Sequence, residues 1–217
     1  MEKTVKIKIC GLTRPQEAEY LNEAGADYGG FVFYGPSRRN VTIPQAVEIK
    51  NKFSQGIGSV AVTVSPEVKL VCDLEAAGFD ILQVHKKLSK EVLKAVNIPV
   101  WYAVNLTNLS DLQEKAGFLL ELPEALSRKI RGIVVDAGSF GSGKTFDWSS
   151  AAKQIRNKEL LKDRSFILAG GLNPSNVKEG IRLLQPDVVD VSSGVEGDNG
   201  KDKNLILEFT ERVKKDE

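Results

Sequence analysis

The chain has 217 residues, with 30 Lys and Arg against 29 Asp and Glu, a single His and two Cys. This length suits one well-buried domain over residues 1–217, and a formal charge of +1 without basic clusters among aromatics argues against a nucleic-acid partner. No apolar run approaches a membrane span, MEKTVKIKIC lacks a signal-peptide core, and two cysteines cannot build a disulfide framework, so a cytoplasmic protein with reduced thiols is expected.

Residues 5–10 alternate and are rich in branched side chains, which predicts a first strand stopped at Gly11. Thr13 ahead of Arg14-Pro15 predicts a helix N-cap; Ala18, Leu21 and Ala24 give that helix its apolar face and Gly25 its stop. A second strand covers 28–34, a polar loop follows over 35–40, and a second helix begins near Thr42-Ile43-Pro44. The third strand is 59–64. Pro66 then starts a helix expected to bury Val68, Val71, Cys72 and Ala76 and to stop at Gly78.

The fourth strand is 81–85, with Ser89 capping the next helix, and the fifth is 99–104. Residues 106–129 read as one or two short helices interrupted at Gly117 and Pro123. The sixth strand, 131–136, leads into a glycine-rich loop over 137–145 and a helix opened by Asp147 and Ser150. Strands seven and eight are 166–169 and 188–191, joined through Asn173-Pro174-Ser175-Asn176 and a helical face of Val177, Ile181 and Leu184. Leu205, Leu207, Phe209 and Val213 mark a closing helix. Eight strand-then-helix repeats predict an α/β protein of the (β/α)8 TIM-barrel class; a doubly wound open sheet has the same local pattern and stands as the alternative.

In such a barrel, chemistry sits where strands end. Gly170-Gly171 and Ser192-Ser193-Gly194 end two strands one repeat apart, where backbone N–H groups can close on a phosphate. Cys10 ends the first strand, and a thiol of ordinary pKa about 8.5 becomes a useful base once nearby positive charge lowers it. Cys72, on a helix face, reads as a small core hydrophobe. Asp136 ends an apolar strand where a carboxylate has no packing role; enclosed in a pocket, it would be a proton donor near neutral pH.

His85 reads equally as a hydrogen-bonded structural group or a substrate contact, and one His without ligand spacing argues against a metal site. Of Arg38 and Arg39, one is expected to bind an anion over the barrel mouth. Asp190 reads either as a loop-orienting group inside the barrel or as a substrate contact. Residues 138–145 satisfy G-x-x-x-x-G-K-[ST], but Phe146 to Ser150 intervene before the helix signal, so a loop over the barrel mouth accounts for them better than a nucleotide site.

Lys8 to Thr13 (KICGLT), Gly30 to Tyr34 with Ser37-Arg38-Arg39, Gln83-Val84-His85, Gly141 to Trp148 (GSGKTFDW), Ala169 to Pro174 (AGGLNP) and Asp190 to Glu196 (DVSSGVE) occur in one order along the chain. The set closely resembles the phosphoribosylanthranilate isomerase family of tryptophan biosynthesis. The resemblance implies a ribulose-phosphate-binding barrel that converts N-(5-phosphoribosyl)anthranilate to 1-(2-carboxyphenylamino)-1-deoxyribulose 5-phosphate, with no metal or cofactor. It implies Asp136 as general acid on the furanose oxygen, Cys10 as general base at C2′, Arg39 at the anthranilate end, and Gly171, Ser193 and Gly194 as phosphate-binding amides. Arg39, His85, Gly171, Ser193 and Gly194 form the expected substrate-binding set. A small phosphorylated substrate is the expected partner, with no membrane, and the protein a monomer or homodimer.

Three segments depart from the family pattern: Ala61 to Ser65 lacks its aromatic and Asn, Lys86 replaces a glycine, and Trp101 to Val104 is atypical. Another phosphate-binding barrel isomerase, a non-catalytic binder of phosphorylated metabolites and a nucleotide hydrolase are the competing readings.

Overall fold

The structure, a computed structural model, describes residues 4–105, 109–136, 161 and 163–215. Eight parallel strands form a closed ring: β1 Lys6–Cys10, β2 Tyr28–Val32, β3 Gly58–Thr63, β4 Ile81–Val84, β5 Val100–Asn105, β6 Ile130–Asp136, β7 Ser165–Ala169 and β8 Val188–Val191. The ring closes where β1 pairs with β8, Lys8 opposite Asp190 and Ile9 opposite Val191. This is the (β/α)8 barrel; the open-sheet alternative falls because the first strand pairs with the last and each of the eight strands has a partner on both sides, leaving no edge.

The alternation of each strand sorts its side chains into two cores. Ile7, Ile9, Phe31, Leu82, Val104, Val135, Leu168 and Val189 point outward and meet the helices. Cys10, Val60, Val62, Ile81, Trp101, Ala103, Val134, Ile167, Ala169 and Val188 fill the ring itself. Trp101 closes the lower part of that interior. It meets Tyr28 edge-on with centroids 5.1 Å apart, and it fits because Gly132 beside it has no side chain: a Cβ there would come within 2.6 Å of the indole. These side chains fill the lower barrel, and a cavity opens at the end where the strands finish.

The outer layer contains α1 Gln16–Ala24, α2 Ile43–Lys50, α3 Val68–Ala76, α4 Lys90–Ala95, α5 Leu109–Leu120, α6 Glu124–Ser127, α7 Val177–Leu184 and α8 Lys203–Lys214. Local sequence signals explain several of their ends. Thr42 and Gln45 form a capping box at α2, Ser89 Oγ accepts from the Val92 amide at α4, and Gly25 ends α1 in the left-handed region with φ of 63°.

Three expectations are corrected. Thr13 does not cap α1: the helix starts after Pro15, and the amides of Thr13 and Arg14 are taken by the buried carboxylate of Glu17. Of the face expected for α3 only Val71 is buried; Val68, Cys72 and Ala76 are exposed, because the helix packs on Val71 and Leu74 with Leu70 and Ala77 beside them, which turns Cys72 to the opposite side. Gly117 does not interrupt its segment, and α5 runs through it to Leu120. The closing helix is present as α8, where Ile206, Phe209, Thr210 and Val213 are buried and Leu205 and Leu207 are partly covered. The glycine-rich loop over 137–145 and the helix opening at Asp147 lie outside the described residues. Among the described residues no helix is long and apolar enough to cross a membrane.

Candidate active site

β1 carries two polar side chains into the ring, Lys8 and Cys10, each between outward-facing isoleucines or beyond them. Lys8 is fully buried, and its Nζ donates to Asp190 Oδ2 at 2.7 Å across the β1–β8 seam. Beyond Cys10 the chain turns at Gly11, with φ of 87°, and a Cβ there would strike the Arg39 side chain. Arg39 thus crosses directly over the end of β1.

The segment after β8 is drawn onto the same spot. Ser192 Oγ donates to the Cys10 carbonyl at 2.9 Å. A 3-10 turn, Ser193–Val195, leads into a two-stranded ribbon of β9 Glu196–Gly197 and β10 Gly200–Lys201. Glu196 accepts from Arg39 Nε and Nη2 at 2.6 and 2.8 Å, from Arg38 Nη2 at 2.6 Å and from Lys201 Nζ at 2.7 Å. One carboxylate therefore joins the loop after β2 to the ribbon after β8. Burial works against its charge, but the hydrogen bonds from Arg39 and Lys201 prevail and hold it at about 2, below its usual 4.5.

That depression has a measurable sign. A carboxyl held low in the folded state adds stability above its unfolded pKa and loses it as pH falls towards the folded value. Glu196→Gln is expected to lower the unfolding free energy by about 2–4 kcal/mol at pH 7, because Arg39 and fully buried Lys201 lose their counter-charge. The gap between variant and wild type in denaturant melts should narrow from pH 4.5 towards pH 2, where Glu196 protonates in both states. A gap that stays constant across that window would refute the linkage.

At the strand ends lies a cavity of about 410 Å³, a size suited to one small-molecule ligand. Around the ring its wall is formed by Asp136 from β6, Gly170 and Gly171 after β7, Asp190, Ser192 and Ser193 from β8 and beyond, and Cys10 from β1. Tyr34, Ser37 and Arg39 follow from the loop after β2, then Val62 to Val64 from β3, and Gln83, His85 and Lys86 from β4. The cavity thus gathers six expected residues: Cys10, Arg39, His85, Asp136, Gly171 and Ser193. Gly194 does not line it. Gly194 packs behind the wall, where a Cβ would overlap the Leu172 carbonyl and come within 2.9 Å of Asn173 Cβ. Gly170 and Gly171 both hold positive φ, 91° and 69°, which lets the chain turn tightly above β7.

The electrostatics differ from expectation at Cys10. Burial pushes its thiol up; Lys8 and Lys201 pull it down, Asp190 opposes them, and the outcome is upward rather than the expected lowering. His85 is driven down to about 3 by burial, then by the Lys8 and Lys115 charges, so it is a neutral imidazole at neutral pH. Its Nε2 lies 2.8 Å from the Gln83 amide nitrogen. Arg39 is held charged: its bonds to Glu196 raise it and outweigh burial.

Three charged residues of this site were missed in the sequence. Lys8 had a signal, because it alternates with Ile7 and Ile9 and a closed ring buries both faces of its strands. Glu196 had only its place at the end of the DVSSGVE motif and Lys201 had no signal, since charges beside glycines read as a solvated loop.

The family profile described as N-(5'phosphoribosyl)anthranilate (PRA) isomerase matches residues 7–212. The chain is 39% identical to the N-(5'-phosphoribosyl)anthranilate isomerase of Streptococcus gordonii, over 96% of this chain and 97% of that protein. It is similar to the crystal structure of phosphoribosyl anthranilate isomerase from Thermotoga maritima, with a TM-score of 0.81 and 32% identity over 97% and 98% of the two chains. A second similar crystal structure, TM-score 0.79 and 31% identity over the same shares, is of a phosphoribosyl anthranilate isomerase in complex with reduced 1-(o-carboxyphenylamino)-1-deoxyribulose 5-phosphate.

Proposed function

The chain belongs to the N-(5'-phosphoribosyl)anthranilate isomerase family, an isomerase family of tryptophan biosynthesis, and from that premise we propose that its cavity converts N-(5'-phosphoribosyl)anthranilate to 1-(2-carboxyphenylamino)-1-deoxyribulose 5-phosphate with Asp136 as general acid and Cys10 as general base. The observation that carries this reading is the order of groups around the ring. Asp136, the paired glycines after β7, Ser193 after β8 and Cys10 follow one another on a single arc of the wall. A phosphate held in the middle of that arc leaves the sugar carbons between the carboxyl and the thiol.

The chemistry needs two proton transfers. Asp136 gives a proton to the furanose oxygen; the C1′–O bond breaks and the anilino nitrogen lone pair forms the iminium. That iminium makes the C2′ hydrogen acidic, and the Cys10 thiolate takes it, leaving an enolamine. Ketonisation moves the hydroxyl proton from O2′ and places one on C1′, so the carbon skeleton gains no net proton in that step. The enzyme ends with a neutral thiol and an ionised carboxyl, and proton exchange with solvent restores the starting pair.

Gly171, Ser193 and Gly194 are the proposed phosphate segment, Gly171 and Ser193 at the wall and Gly194 setting the turn behind them. Anchoring the phosphate there fixes the reacting carbons without touching them. The anthranilate end then reaches the β2–β4 side. Arg39 has two nitrogens engaged by Glu196, which fixes the plane of its guanidinium and leaves Nη1 for the substrate carboxylate. Neutral His85 and Gln83 contribute uncharged hydrogen-bonding groups beside the aromatic ring.

The test is turnover of phosphoribosylanthranilate generated in situ, followed by loss of anthranilate-type fluorescence. Catalysed loss with a kcat in the ordinary enzymatic range of about 1–1,000 s⁻¹ is expected. No loss above the uncatalysed rate would remove the assignment.

A further inference from the structure

Cys10 presents a difficulty for any mechanism that uses it as a base, because burial opposes its ionisation. The fold places a specific remedy two residues earlier on the same strand face. We propose that Lys8 is the positioning residue that keeps Cys10 available as a thiolate, its ammonium fixed between Cys10 and Asp190 as the counter-ion of the sulfur. The inference rests on Cys10 acting as the base.

Three observations support it. Lys8 is fully buried, and a buried ammonium needs anionic partners; Asp190 Oδ2 at 2.7 Å supplies one. Lys8 and Cys10 converge over Gly30, the residue paired with Cys10 on β2. A Cβ at Gly30 would lie 3.0 Å from Cys10 Sγ and 3.2 Å from Lys8 Cε, so its absence leaves room for both. Of the other two buried lysines among the described residues, Lys201 is already engaged by Glu196 Oε1 and the Ser192 carbonyl, and Lys115 by the carbonyls of His85 and Ala103.

The charged and titratable groups facing the thiol are Lys8 on its own strand, Asp190 from β8, Lys201 from β10 and Arg39 from the loop after β2. Asp136 and His85 share the cavity from β6 and β4. Asp190 occupies two roles at once. It fixes Lys8 in place, and its own negative charge competes for the ammonium. Its Oδ1 has no hydrogen-bond partner among the described residues, so its polar contacts are directed to Lys8.

That geometry predicts effects of opposite sign. Thiol ionisation would be read by thiolate absorbance and by the pH dependence of iodoacetamide alkylation, in a Cys72→Ser background because Cys72 is exposed. Lys8→Met should move the Cys10 pKa up by about one unit or more, a roughly tenfold or greater drop in alkylation rate at pH 7. Lys8→Arg should return it towards wild type. Asp190→Asn should move it down. The acid limb of kcat/KM should shift with the thiol in each variant.

An unmoved thiol titration in folded Lys8→Met overturns the proposal. Should that variant fail to fold, Asp190→Asn decides: a thiol pKa that stays put or rises overturns it. Retained turnover in Cys10→Ser would remove the base assignment instead, and the titrations would still decide whether Lys8 governs the thiol.

Discussion

Asp136→Asn and Cys10→Ser are each expected to lower kcat by about 10²–10⁴-fold, the usual contribution of one positioned acid or base and equivalent to about 3–5.5 kcal/mol of barrel-mouth catalysis. The first removes the proton proposed to reach the furanose oxygen from the β6 end. The second replaces the sulfur by an oxygen that ionises far less readily beside the same Lys8. Both changes are close to isosteric, so circular dichroism and denaturant midpoints should stay near wild type, and KM should change less than kcat. Combining them should cost less than the product of the single effects, because each blocks the same turnover. Rates that survive both substitutions would retain the family and discard the proposed proton transfers.

The second large effect is expected from a residue that carries no functional group. In Gly194→Ala the new methyl would overlap the Leu172 carbonyl, a backbone atom with little freedom to move. The loops after β7 and β8 would have to separate, and overpacking of this kind costs roughly 1–3 kcal/mol or more. The same separation would spread the amides proposed to hold the phosphate. We expect KM to rise by tenfold or more and inorganic phosphate to lose its inhibition of turnover, with kcat at saturation changing less. An alanine variant with unchanged Tm and unchanged phosphate inhibition would show that the two loops need not touch.

The barrel was readable because its rule is local: apolar strand, small-residue stop, amphipathic helix, repeated along the chain. The strand ends followed from that rule, and with them the positions of Cys10, Asp136 and Gly171. The difficulty began where a residue's surroundings come from far along the chain. The pattern Lys6-Ile7-Lys8-Ile9 looks like a strand with one wet face, yet Lys6 is exposed while Lys8 is fully buried, because only the latter lies inside the closed ring. Val68, Cys72 and Ala76 are exposed for a smaller reason: Leu74 shares the packed face with Val71, which rotates α3 away from the face that those three residues suggest. Glu196 acquires its meaning from Arg38 and Arg39, 158 and 157 positions away, and no local pattern announces such a pairing. The upward push on the Cys10 thiol was equally out of reach, since sequence suggests which charges approach but not how completely water is excluded.

The seam between β1 and β8 also sets when the site comes into being. The bonds from Lys8 to Asp190 and from Ser192 to Cys10 each span 182 positions, and Glu17 accepts the Lys201 amide across 184. A chain emerging from the ribosome therefore carries the Cys10 thiol from the start, yet the Lys8–Asp190 pair and the Ser192 contact beside it form only when the final strand arrives. Chains ending before residue 190 lack Asp190, Ser192 and Ser193, so neither the buried pair with Lys8 nor that side of the cavity wall can be assembled. Activity is thus expected to report on ring closure, with chains that stop short of β8 showing no turnover.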